Sequence, residues 1–201
     1  RVLFRSNHSV HFNLSWAFQY QRQFFAGEWY PRWLEYSNFG FGNATFVFYP
    51  PLSFVATLPF AAFQSSVSGS IIGSMILALF VFAIGFYQYA QCFFRRSESL
   101  VLTFVALINP YLCIDLYQRG AIAEVWAIVC IPWILWFTHQ RMTDDRSGGW
   151  TGQRIGGVIN LAISYSLLML SHLPTLLLFT LVWWMLPWFT PRDRRKRSEE
   201  H

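Results

Sequence analysis

Residues 70–94 run without one charged side chain and end directly in Arg95-Arg96. A membrane helix needs ~20 apolar residues to cross about 30 Å of hydrocarbon, and this run exceeds that. Inside a bilayer the backbone has no water to bond, so a segment of this kind is confined to a helix that satisfies its own N–H and C=O groups. Further apolar runs follow at 100–116, which contains Asn109-Pro110, and at 121–138. The stretch from 155 to 190 is too long for one crossing. Pro174 lacks a backbone donor and favours a break, so two short helices are expected, 155–171 and 174–190, joined by a turn at His172.

Composition agrees. Apolar residues make up 54% of the chain and charged residues 12%, against roughly 25% charged in soluble domains. Aromatics reach 20%, and Trp and Tyr favour the membrane–water interface. The net charge of +5 is small and resides mostly in one basic run near the end of the chain. That pattern argues against nucleic acid as a partner and for a basic edge facing a membrane surface. Cys92, Cys113 and Cys130 lie in apolar surroundings without metal-type spacing and read as small packing residues.

Basic residues give an orientation. Arg95 and Arg96, then Arg141, Arg146 and Arg154, then the run from Arg192 to Arg197 all fall on one side if each apolar run crosses once. The short loops on the other side hold Arg119. The basic side is expected to be cytoplasmic, which leaves residues 1–69 on the non-cytoplasmic face. Within that segment Phe12, Trp16, Tyr20 and Phe24 form an i, i+4 stripe, flanked by Leu14, Phe18 and Phe25. His8, His11, Ser15, Gln19, Arg22 and Gln23 occupy the polar side. This spacing predicts an amphipathic helix lying in the interface. Residues 52–64 are apolar but short and are read as a re-entrant, half-inserted segment.

The expected fold is therefore all-α and integral to the membrane, with about five transmembrane helices. They are 70–94, 100–116, 121–138, 155–171 and 174–190, preceded by the interfacial helix and followed by a basic cytoplasmic tail or loop at 191–201. The chain is expected to be a fragment of a larger multi-span protein.

That topology gathers polar groups on the outer side: Asn7, His8 and His11; Glu28, Arg32 and Glu35; Tyr49 before two prolines; Asp115, Arg119 and Glu124; and His172. Ionisable groups at membrane depth are costly and point to function. The plain structural alternatives are clear. Asp115 and Arg119, four apart, can pair on a helix end, and Glu124 suits the positive end of a helix dipole. His172 can merely polarise a turn, and His8 and His11 can sit on a wet helix face. A zinc site from His8, His11 and His172 lacks diagnostic spacing. Asn7, Asn13 and Asn43 fit the glycosylation sequon, a pattern common by chance. Phosphate-loop, nucleophile-elbow and HExxH motifs are absent.

GEWYPRWLEYSNFGFGNATFVFYPPLSF at 27–54 resembles the first outer loop of bacterial membrane glycosyltransferases of the GT-C type, and YQRGAIAE at 117–124 resembles their second. The branch most similar is a group of bacterial membrane proteins labelled 6-pyruvoyl-tetrahydropterin-synthase-related. The resemblance spans residues 5–125 and extends more weakly to the Ser-His-Leu-Pro turn at 171–174. It implies transfer of a sugar from a polyprenyl-phosphate donor at the outer face of the bacterial cytoplasmic membrane. Membrane lipid and lipid-linked sugar would be the partners, and a divalent metal ion a possible cofactor, with Asp115 or Glu124 as its ligand. Catalytic candidates are Asp115, Glu124, His8 and Glu28. Substrate-binding candidates are Asn7, His11, Arg32, Tyr49, Arg119 and His172. An acidic residue is expected four positions before His11, where this chain has Asn7; an amide takes no proton at neutral pH. The alternative is a non-catalytic structural or accessory subunit of a membrane complex, with a protein partner.

Overall fold

The computed structural model describes residues 8–63, 66–144 and 152–189. Every named element among them is helical, and one isolated antiparallel bridge joins Leu34 to Asn43. The basic segment at 191–201 and part of the 139–154 loop lie outside the described residues.

Helix α1 (His8–Phe25) partitions its surface differently from the expected amphipathic pattern. Trp16, Tyr20 and Phe24 do pack inward, around Phe46, Phe54 and Leu58. Gln19 and Gln23, assigned to the wet side, are buried together with Gln21, whereas Phe12, Phe18 and Phe25 are exposed. The amides face protein because the segment after the helix has little regular structure, and its backbone groups need partners. Gln19 Oε1 accepts from the Tyr36 N–H at 2.9 Å. Gln23 Nε2 donates to the Trp33 carbonyl at 2.8 Å. Gln21 Nε2 reaches both Thr57 Oγ1 and Ser70 Oγ at 2.8 Å, which ties α1 to the start of the bundle.

Short turns follow: a 3-10 turn at Asn38–Gly40, α2 (Thr45–Phe48), α3 (Leu52–Val55) and α4 (Leu58–Ala61). Helix α5 (Val67–Ala90) starts where the Ser66 hydroxyl accepts from the Gly69 N–H. Helix α6 (Arg96–Leu107) opens with Glu98 reaching back to the Arg95 N–H at 3.0 Å. The expected 100–116 crossing is a broken one. Pro110 has no N–H, and its ring displaces the preceding turn, so the chain stops at Leu107 and restarts as α7 (Pro110–Ile114). Asn109 Oδ1 caps the restart by accepting from the Tyr111 N–H at 2.8 Å. One π-helical turn, Asp115–Arg119, continues α7. Helix α8 (Ile122–Asp144) carries Pro132 in its interior. Helices α9 (Gly152–Met169) and α10 (Leu173–Phe189) form the last pair.

Val67–Ala90, Arg96–Arg119 and Ile122–Met142 are each long and apolar enough to cross a membrane, while Gly156–Met169 and Leu173–Met185 are shorter apolar helices. Of the three long spans, Ile122–Met142 is 56% buried against 28% and 22% for the others. Helix α8 is thus the post around which the bundle is built. It packs on α5 through Ala78, Phe82, Val125 and Val129 and on the last pair through Ala127, Ile134, Leu168 and Phe179. Trp133 can approach α5 because residue 85 is glycine: a Cβ there would lie 2.4 Å from the indole nitrogen, which donates to the Val81 carbonyl at 3.1 Å.

Replacing Gly85 with Val should therefore overpack the α5–α8 seam. A loss of about 1–3 kcal/mol is expected, read as a lower thermal midpoint in detergent. Gly156→Ala is the matched control, since nothing lies within 4 Å of its added Cβ; its midpoint should hold or rise.

Candidate functional site

Three interruptions of regular helix fall at one end of the bundle: the Asn109-Pro110 break, the π turn with Gly120, and the Leu170–His172 turn between α9 and α10. Gly120 adopts the left-handed conformation at φ +59°, which reverses the chain from the π turn into α8 and favours glycine. A Cβ at this position would also lie 2.7 Å from Val10 Cγ2 of α1. Asn13 Nδ2 donates to the Gly120 carbonyl at 2.7 Å, so α1 is fastened to this turn.

The reversal brings four polar side chains together. Tyr111, Asp115 and Arg119 recur at four-residue spacing along α7 and the π turn, and Glu124 stands in the first turn of α8. Arg119 Nη1 lies 2.6 Å from Asp115 Oδ1 and 2.9 Å from Glu124 Oε2. The Tyr111 hydroxyl donates to Glu124 Oε1. Asp115 is completely buried, whereas the Arg119 side chain is half exposed. Asp115 Oδ2 has no partner.

A polar chamber of about 350 Å³ opens on this cluster, walled by Phe12, Asn13, Trp16, Tyr49, Arg119, Glu124 and His172. A larger groove of about 600 Å³ adjoins it. Asn109, Tyr111, Glu124 and His172 stand at its polar mouth, and Phe82, Phe86, Ile131, Leu178 and Val182 line its apolar remainder. Glu124 and His172 line both spaces. From Glu124 to Ile131 along α8, at 1.5 Å per residue, the groove descends about 10 Å. His172 Nδ1 is 2.8 Å from Thr175 Oγ1. Burial pushes the His172 imidazole below its ordinary pKa; Glu124 pulls the other way and Arg119 adds to the drop. That balance favours the neutral ring. Burial likewise raises the Tyr49 phenol, with Glu124 adding to it, so Tyr49 presents a hydroxyl and not a phenolate.

Five of the residues singled out from sequence meet here: Tyr49, Asp115, Arg119, Glu124 and His172. Three do not: His11, Glu28 and Arg32 are exposed and wall neither space. Asn7 lies outside the described residues, and His8 opens α1 with its side chain outside them as well. Tyr111, Asn13, Trp16, Asn109 and Thr175 went unread as site residues. Tyr111 had a signal in its position four residues before Asp115. Asn13 had one in being a polar residue in register with buried Val10, Ala17 and Tyr20 of α1.

The donor set fits a divalent ion poorly. A cation between Asp115 and Glu124 would take the place the Arg119 guanidinium already fills. Among the described residues no group of three or more His, Cys, Asp or Glu side chains converges.

Arg119 should act as the electrostatic keystone. Arg119→Met leaves buried Asp115 without its counter-charge and should cost about 1–3 kcal/mol in thermal unfolding. Asp115→Asn with Arg119→Met should cost less than the two single losses added, because the second change removes the charge the first one strands. Additive losses would mean that the pair is not coupled.

Residues 46–198 match a family model described as 6-pyruvoyl-tetrahydropterin synthase related domain, membrane protein. No curated protein and no solved structure matches the chain. The matched region takes in Tyr49, the whole Tyr111–Glu124 cluster, His172 and every helix from α5 onward. The chain belongs to the 6-pyruvoyl-tetrahydropterin synthase related family of membrane proteins.

Proposed function

We propose that the chain is a glycosyltransferase of the GT-C type that moves a sugar from a polyprenyl-phosphate donor, working at the outer face of a bacterial cytoplasmic membrane. The observation that carries this reading is the junction of a polar chamber with a longer apolar groove at Glu124 and His172. A donor with a charged head and an apolar tail has the same two-part chemistry. On this reading α9 and α10 complete five crossings, the 52–64 segment is re-entrant, and α1 lies in the interface.

The prenyl chain occupies the groove along Phe82, Phe86 and Val182, and the sugar phosphate sits in the chamber. Glu124 accepts the proton of the acceptor hydroxyl, whose oxygen bonds to the anomeric carbon as the carbon–oxygen bond to phosphate breaks. The bonding pair leaves on the phosphate. Protonation of Glu124 cancels its hold on Arg119 at the moment the phosphate gains charge, so the guanidinium becomes free to offset it. The Tyr111 hydroxyl steadies the carboxylate beforehand. Buried Asp115 has no surface on the chamber and acts by positioning Arg119. Trp16 and Tyr49 present rings to the sugar.

A second reading, an accessory subunit that docks on another membrane protein, is favoured by the exposed side chains of Trp29, Phe39, Phe41 and Phe48.

The test is transfer of labelled sugar from a polyprenyl-phosphate donor by the full-length protein in lipid. Glu124→Gln should lower kcat by at least about 100-fold, the scale of general-base catalysis. Unchanged transfer by Asp115→Ala with Glu124→Ala would remove the residue assignment. Absence of transfer by the native protein, together with a stoichiometric co-purifying partner, would favour the accessory reading.

A further inference from the structure

The chamber has a second apolar arm. A cavity of about 230 Å³ lies between α1, α5 and the π turn, walled chiefly by Leu14, Ile71, Ile72, Met75 and Leu116. Asn13 also borders it, but its amide nitrogen is committed to the Gly120 carbonyl at 2.7 Å. Little is left there for a polar ligand to bond, so the space suits a hydrocarbon chain.

Asn13 and Ile122 line both this cavity and the chamber, so the two are neighbours. The larger groove adjoins the chamber at Glu124 and His172. Ile122 and Glu124 are two residues apart on α8, about 200° around a helix that turns 100° per residue. The cavity and the groove therefore meet opposite faces of the first turn of α8, with Glu124 on the groove side. The rim of the smaller arm is formed by Ile76 and Tyr117, 64% and 63% exposed, on the surface of two long apolar helices, so a chain can enter it sideways from the bilayer. One donor tail fills one arm. A water-soluble acceptor would make no use of the other.

Resting on the glycosyl-transfer reading above, we propose that the acceptor is itself a membrane lipid: its hydroxyl head enters the chamber beside Glu124, and one of its chains occupies the arm formed by Ile72, Met75 and Leu116. Two tails would then approach the reacting centre from opposite sides, with both head groups in the polar space between.

The experiment uses the full-length protein in phosphatidylcholine nanodiscs with two photo-crosslinking probes. One is a polyprenyl phosphate and the other a diacylglycerol, each carrying a diazirine in its chain. Saturable labelling by the diacylglycerol probe is expected within residues 71–79, and by the polyprenyl probe within 174–182. Ile72→Trp should cut the first label at least tenfold and leave the second unchanged. Ile76→Trp at the exposed rim does the same work if Ile72→Trp misfolds. Leu77→Trp, exposed on the same helix but outside the arm, should change neither. Equal labelling in the native protein and both arm variants would show only surrounding lipid and overturn the proposal. So would competition by the polyprenyl probe for the 71–79 site. Loss of the polyprenyl label alone would overturn the donor assignment, and with it the acceptor role, while leaving the arm as a lipid-binding site.

Discussion

Two carboxylates at the end of an apolar bundle require a counter-charge, and Arg119 supplies it to both. Asp115 has no contact with solvent, and one of its oxygens is unpartnered. In such surroundings an ionised carboxylate is costly unless a cation stands against it. The π turn meets that need. Arg119, at the end of that turn, lies 2.6 Å from Asp115 four residues earlier and 2.9 Å from Glu124 on the next helix. A single side chain therefore joins the broken second span of the bundle to α8, the helix on which the remaining elements pack.

The interruptions in the helices are concentrated where that cluster sits, and the chain has to satisfy the backbone groups they free. In a membrane such irregular backbone is tolerated only when buried in protein or lining a cavity. Each break here has its partner. Asn109 caps α7, Asn13 takes the Gly120 carbonyl, and the Leu52 N–H bonds to the Leu170 carbonyl at 3.0 Å. Ser171, wholly buried, returns its hydroxyl to the Leu167 carbonyl at 2.7 Å. The segment before α5 is thus part of the site: α1 closes one wall of the chamber, and the Tyr49–Leu52 stretch holds another.

The long apolar runs were legible in the sequence because length and lack of charge are themselves the physical requirement for a spanning helix. The charged cluster was legible for the opposite reason: Asp115, Arg119 and Glu124 stand out against apolar neighbours. The π turn was not legible: Gly120, which closes it, sits against Val10 more than a hundred positions away, and no local pattern marks that meeting. The polarity of α1 was misread at Gln19 and Gln23. Periodicity sorts residues by hydropathy, but an amide buried against loop backbone groups obeys hydrogen-bond demand instead. Arg32 and Glu28 looked like site residues because they share a loop with Tyr49; proximity in sequence did not bring them to the chamber.

Glu124 stands where three environments meet: the positive end of the α8 dipole, the Arg119 guanidinium, and the mouth of an apolar groove. Together with His172 it forms a wall of both the groove and the chamber. Whatever fills the groove therefore touches the same two side chains that border the chamber. The two spaces are coupled through shared residues, and no moving part is needed.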